Sequence, residues 1–126
     1  MKLQNLFTIN IFIAVFFGLS CSLFPDWVIQ LYGLVPDDAS TWTTRLVGGS
    51  ILGFASLMWF GWKAASVDAR RAIALALLIQ DIVGFTASAE IQFGGNINAF
   101  GWSNLFLYGF LAFGYAYFLY MRPKAS

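Results

Sequence analysis

Hydrophobic positions cluster into four long segments separated by short polar stretches. The segments run over about 5–24, 41–62, 70–93 and 99–120. Each is close to the roughly 20 residues that a helix needs to cross a bilayer. Pro25 follows the first segment, Ser66 precedes the third as a candidate N-cap, and Gly94 follows the third as a stop signal. The pattern predicts an all-α fold, an integral membrane four-helix bundle that forms one domain over 1–126.

The first loop has its own pattern, PDWVIQLYG at 25–33. A proline and an acid begin it, and they suit the first turn of a short helix. Trp27 and Tyr32 would then lie at the membrane surface, which predicts a short interfacial helix in this first outer loop. The same segment also fits a lid over the bundle, and the sequence leaves both interpretations open.

The basic residues indicate an orientation. Six of the seven lie at the N-terminus, in the second loop or at the C-terminus: Lys2, Lys63, Arg70, Arg71, Arg122 and Lys124. The first loop instead contains Asp26, Asp37 and Asp38. Because cytoplasmic loops are enriched in Lys and Arg, we predict that both termini are cytoplasmic. The compact loops favour the inner membrane of a bacterial cell.

Composition agrees with a membrane location and narrows the chemistry. Hydrophobic residues make up 60% of the chain and charged residues 10%, against about 25% charged in soluble domains. The net charge of +1 argues against a nucleic-acid partner, which would need a basic face. The chain has no histidine and one cysteine, so the usual catalytic base and any multi-cysteine metal site are missing. We therefore predict a non-enzymatic protein without catalytic residues, metal or cofactor, with the lipid bilayer as its first partner.

Asp81 stands beside Gln80 in the middle of an apolar run, LLIQDIVGF. Placing an aspartate at the bilayer centre costs on the order of 2.5–3.5 kcal/mol, so we expect its side chain to face protein or a water-filled cavity. Gly84 and Ser88 share its helix face and form a pair of small residues that another helix can approach closely.

The role of Asp81 has three interpretations. A low dielectric favours its protonated form, which could donate a hydrogen bond to a backbone carbonyl or to Tyr108 and so hold two helices together. It could instead be a proton or ligand site, since ionisable residues inside membranes are functional candidates. It could also contact another subunit.

Arg45 and Glu90 lie near the outer ends of the second and third segments. Because consecutive helices are usually neighbours, we predict an ion pair between them. Arg45 shares a face with Gly49, and Gly49 and Gly53 form a GxxxG helix-packing motif. The pair would be a structural clamp or, alternatively, Arg45 would bind an anion or a lipid headgroup. Glu90 and Asp81 point to opposite sides of one helix, which predicts an oligomer or a partner if both faces are covered.

Two smaller features carry open alternatives. The outer loop FGGNINAFGWSN contains Asn96, Asn98 and Asn104, which would cap helices and turns or line a polar pocket. Cys21 ends a stretch that loosely resembles a lipoprotein cleavage site. Without such processing it is a small, buried and inert thiol.

Two functions fit these patterns. The first is an accessory or structural subunit that acts through helix-helix contacts in a homo-oligomer or with other membrane protein subunits. The alternative is a small proton- or ion-linked transporter with Asp81 as its midplane site.

Overall fold

The computed structural model describes residues 2–64 and 66–121, which contain helices and no strand. The α-helices are α1 (Leu3–Leu23), α2 (Pro25–Leu31), α3 (Asp38–Lys63), α4 (Val67–Phe93) and α5 (Trp102–Ala116). A 3-10 turn, Ala99–Gly101, leads into α5, and a π-helical turn, Tyr117–Met121, continues it. The basic residues Arg122 and Lys124 lie outside the described residues.

Three helices in the described part of the chain are long and apolar enough to cross a membrane: Leu3–Leu23, Val67–Phe93 and Ala99–Met121. In their apolar windows only 33%, 28% and 28% of the residues, respectively, are buried inside the protein. The remaining apolar surface faces outward over whole helices, and a soluble protein rarely exposes patches of that extent. The prediction of membrane helices is confirmed for the first, third and fourth segments.

The second predicted span, α3, is different. It has 26 residues, about 39 Å at the rise of an α-helix, which is long enough to cross a bilayer. It is not among the helices that are also apolar enough, and Thr41, Thr43, Thr44 and Arg45 occupy its early turns. It also begins three residues earlier than predicted. Its membrane position is therefore a proposal, given below.

Side-chain caps fix two helix starts. At α3, the Ser40 amide donates to Asp37 Oδ1 at 2.7 Å and the Asp37 amide donates to Ser40 Oγ at 2.9 Å, which forms a capping box. At α4, the Ala69 amide donates to Ser66 Oγ at 3.2 Å, as the predicted N-cap requires. These caps fix the positions at which α3 and α4 begin.

The long helices pack as two pairs. α1 lies along α3 and α4 lies along α5, with fewer contacts between the pairs. Gly48 allows the first pair to approach, because a Cβ there would lie 2.5 Å from Ser22 Oγ and 2.9 Å from Cys21 Cβ. The predicted Gly49–Gly53 motif packs against no helix of the described chain: a Cβ on either glycine would meet nothing within 4 Å, so both face away from the bundle. One residue along a helix turns a side chain by about 100°, and that step separates the packing glycine from the exposed ones.

The predicted small-residue pair in α4 does meet another helix. A Cβ on Gly84 would lie 2.6–2.8 Å from atoms of the Tyr108 ring, and Ser88 is buried one turn further on. The absence of a side chain at Gly84 therefore lets α5 place an aromatic ring directly against α4.

The tightly packed core fills one half of the bundle, beside the α3–α4 connection. It contains the first turns of α1, the last turns of α3, the first turns of α4 and the end of α5: Leu3, Leu6, Phe7, Ala55, Met58, Ala74, Leu77, Leu78, Leu111, Tyr115, Phe118 and Leu119. Polar contacts fasten the same end. Gln4 Nε2 donates to the Trp62 carbonyl at 3.0 Å, and an Arg71 guanidinium nitrogen donates to the Leu119 carbonyl at 3.0 Å. The other half of the bundle is more open.

The short helix α2 lies across the open half. Its Val28 and Ile29 side chains are buried, whereas Trp27 is 50% exposed. The short helix predicted for the first loop is therefore present, with one face packed against the bundle and Trp27 on the exposed side.

Hydrogen bonds from both sides hold α2 in place. Thr41 Oγ1 donates to Asp26 Oδ1 at 2.6 Å from the start of α3. From the α4–α5 connection, Asn98 Nδ2 donates to the Leu31 carbonyl at 2.9 Å. Asn98 also caps the 3-10 turn before α5, since its Oδ1 accepts from the Phe100 amide at 3.1 Å. Hydrogen bonds thus connect α2 to both helix pairs.

Candidate functional site

A cleft of about 680 Å³ separates the two helix pairs in the open half of the bundle. One face of α3 forms its longest wall, with Val47, Ile51, Phe54 and Met58 at helical spacing. Leu107, Tyr108 and Leu111 of α5 face that wall. Ile13, Ala14, Phe17 and Cys21 supply the α1 side, and Val28, Ile29 and Tyr32 form the roof. We call this space the cleft from here on.

The cleft is open at one end, so water, a lipid chain or a solute can fill it. Its volume falls within the roughly 300–1,000 Å³ of small-molecule sites.

Asp81 forms part of the floor of the cleft. It is 2% exposed, which agrees with the prediction that it faces protein or a cavity rather than lipid. The hydrogen bond predicted to Tyr108 or to a carbonyl is not formed: within the described residues, Asp81 Oδ2 is buried and has no hydrogen-bond partner. Tyr108 lines the cleft, but its ring lies against Gly84 instead. Gln80 is half-buried and also lines the cleft.

A second polar group lies at the floor. Asn10 is 6% exposed and its Nδ2 donates to the Tyr115 hydroxyl at 2.7 Å. That hydroxyl in turn donates to Met58 Sδ at 3.6 Å. The chain of contacts joins α1, α5 and α3 just below the cleft. The sequence did not predict this contact, because 105 residues separate the two partners and no local pattern pairs them.

The mouth of the cleft lies at the α2–α3 connection, where Leu34, Val35 and Asp37 are exposed lining residues. The hydrogen bonds from the Ser40 amide and hydroxyl lower the pKa of Asp37, so this carboxylate is ionised at neutral pH. Near the roof, Tyr32 donates to Asn104 Oδ1 at 2.7 Å. Burial raises the pKa of Tyr32 to about 12, which keeps the hydroxyl protonated as a donor. Of the loop asparagines, Asn104 therefore lines the cleft, whereas Asn98 caps the 3-10 turn before α5.

Arg45 and Glu90 do not belong to the cleft. Both side chains are exposed, and the structure forms no ion pair between them in the part of the chain it describes. Arg45 lies on the same outward face of α3 as Gly49, whereas the cleft is lined by the opposite face. The predicted clamp is not formed because α3 packs mainly along α1 rather than α4, and Arg45 lies on the face of α3 that points away from the cleft.

Comparisons with known proteins give no family for this chain. No protein-family model matches it, and neither a curated protein nor a solved structure is significantly similar to it. Within the described residues, no three His, Cys, Asp or Glu side chains lie close enough to hold a metal ion.

Proposed function

We propose that the protein is a small membrane carrier that binds a small, largely apolar solute in the cleft, with Asp81 as its proton- or ion-linked site. The observation that carries this proposal is a 680 Å³ cleft with a buried, unpartnered carboxyl oxygen at its floor. An unsatisfied buried polar group costs about 1–3 kcal/mol, more if charged. A bound solute that hydrogen-bonds Asp81 removes that cost, which gives the cleft a reason to be occupied.

The arrangement of the helices supports a carrier more than a static binder. The cleft is closed by the packed core at one end and has exposed lining residues at the other. Its two walls belong to different helix pairs, and the contacts within each pair outnumber those between them. Carriers work by rocking one such unit against another around a site near the bilayer midplane. Opening the core end would expose Asp81 to the opposite side.

The first test is native mass spectrometry of the protein gently extracted from its own membrane. We expect the wild type to retain a small molecule. Ile51→Trp, which fills the cleft wall, is expected to lose it, whereas Leu46→Trp on the exposed side of α3 is expected to keep it. Equal retention by both variants would show that the molecule lies elsewhere. A wild type without any bound molecule would remove the support for solute binding.

The proposal includes a fourth span and an orientation. We infer that α3 crosses the membrane with the face of Val47, Ile51 and Phe54 toward the cleft, with both termini in the cytoplasm of a bacterial cell and the cleft mouth outside. The support is the packing of α3 along the membrane-capable α1 and the clustering of basic residues at one end.

Cysteine labelling in intact cells checks this topology. In a Cys21→Ala background, Val35→Cys is expected to react with a membrane-impermeant maleimide added outside, because Val35 is 87% exposed at the cleft mouth. Val67→Cys, at the start of α4 just beyond the far end of α3, is expected to react only after permeabilisation. Reaction of both positions from outside would mean that α3 does not span, and reaction of Val67→Cys alone would invert the orientation.

A second function, as a subunit of a homo-oligomer or of a membrane complex, is favoured by one observation. Gly49 and Gly53 form a small-residue stripe on the exposed face of α3, with open space around both. Such stripes let membrane helices approach closely. Arg45 on the same helix and Glu90 on α4 are also exposed, so a neighbouring chain could pair them. The same mass spectra report any second copy or partner protein.

A further inference from the structure

The charges that line the cleft all have one sign. Its lining includes two carboxyl groups, Asp81 at the floor and Asp37 at the mouth, and no Lys or Arg among the described residues. The basic residue of α3, Arg45, is exposed on the opposite face. A solute that enters this space therefore meets an acidic mouth and an acidic floor, with nothing to neutralise an anion.

The donor set is wrong for a bare metal ion. Calcium takes 6–8 oxygen ligands and magnesium takes six, whereas the floor offers one carboxyl group and the side-chain amides of Asn10 and Gln80 beside apolar Leu77 and Met58. A monovalent charge that brings its own apolar body needs only one hydrogen-bonded carboxylate. The aliphatic and aromatic walls, Val47, Ile51, Phe54, Leu107 and Leu111, would then contact that body.

We propose that the solute is an organic cation, a protonated amine that donates to Asp81 while its apolar part packs between α3 and α5. Asp81 lines the floor of the cleft, and its buried Oδ2 has no hydrogen-bond partner among the described residues, so the carboxyl group is available as the acceptor. Tyr108 forms the wall next to it and can stack on an aromatic or methylene group of the same solute. This inference rests on the solute-binding function proposed above.

The test uses three probes of the same shape and different charge: 4-phenylbutylamine, 4-phenylbutanol and 4-phenylbutanoate. Their binding to the protein in lipid nanodiscs is measured by calorimetry for the wild type, Asp81→Asn and the occluded variant Ile51→Trp. Subtracting the heats of Ile51→Trp removes the partition of each probe into lipid. Asp81→Asn keeps the shape of the side chain and removes its charge, and thermal unfolding of each variant shows that it is folded.

We expect the wild type to bind the amine more tightly than the alcohol and the butanoate. A hydrogen bond to a charged group is worth enough that Asp81→Asn is expected to weaken amine binding by about 10-fold to 100-fold and to leave alcohol binding unchanged. Asp37→Asn, which removes only the charge at the mouth, is expected to weaken amine binding by less. It tests the same inference independently if Asp81→Asn does not fold.

The possible failures are distinct. If the wild type binds the amine and the alcohol equally and Asp81→Asn changes neither, the cation inference is overturned and solute binding stands. Preferential binding of the butanoate overturns it in the same way. If no probe binds the wild type more than Ile51→Trp, and native mass spectrometry also finds no bound molecule, the solute-binding function itself fails.

Discussion

Replacing Gly48 with leucine is expected to force α1 and α3 apart and to lower the free energy of unfolding by about 1–3 kcal/mol, the range for overpacked interiors. The clash is with backbone as well as side chains. A Cβ at Gly48 would lie 2.5 Å from Ser22 Oγ, 2.8 Å from the Ser22 amide nitrogen and 2.9 Å from Cys21 Cβ. The Ser22 amide belongs to the α1 helix, so it cannot move away without moving the helix itself.

The chain offers a matched control one residue away. Gly49→Leu adds the same side chain on the exposed face, where a Cβ meets nothing within 4 Å, so the monomer is expected to keep its stability or gain slightly from helix propensity. Denaturation followed by circular dichroism in mild detergent compares the two. Equal losses for both variants would contradict the α1–α3 packing.

A Gly53→Leu variant that keeps its stability but loses a second copy in native mass spectra would support the subunit interpretation.

This pair of variants also shows where sequence reasoning reached its limit. Hydropathy located the helices well, because span length and composition act on a whole segment and tolerate an error of a few residues. The face of α3 depended on single residues, and the choice between Gly48 and Gly49 turns on which neighbour is packed against it. The sequence contains both glycines, and only the position of α1 decides between them.

The sequence also predicted one part of the candidate site and not the rest. The burial of Asp81 was predictable from the cost of exposing a carboxyl to lipid, and the structure agrees. That Asp81 Oδ2 has no hydrogen-bond partner in the part of the chain the structure describes was not predictable, because the missing contact depends on how far the two helix pairs stand apart. The cleft is a property of that separation and of the α2 roof. The hydrophobic patterns of α3 and α5 do not predict the cleft. An apolar helix face that lines a cleft has the same sequence pattern as one that packs in a core.

Tyr115 is the residue that fastens the floor of the cleft, and its removal is expected to have the largest effect on stability. Its ring is fully buried, lies 6.0 Å from the Phe7 ring centroid, and its hydroxyl is held between Asn10 and Met58. Tyr115→Ala is expected to cost about 3 kcal/mol, the low end for an aromatic-to-alanine change, because in lipid the packing loss remains while the transfer from water contributes little.

The hydroxyl alone contributes less, and a double-mutant cycle isolates it. Tyr115→Phe leaves the Asn10 amide buried without its acceptor, so we expect a loss of about 1 kcal/mol, within the range of up to roughly 1.7 measured for hydrogen bonds between membrane helices. The double variant Asn10→Leu with Tyr115→Phe removes both partners and is expected to be close to the wild type in stability. Additive losses in the two single variants would show that the Asn10–Tyr115 bond does not couple α1 to α5. A favourable coupling energy, by contrast, would show that the Asn10–Tyr115 hydrogen bond holds the closed end of the cleft together. This bond joins α1 to α5, so it would have to break if the two helix pairs rock against each other.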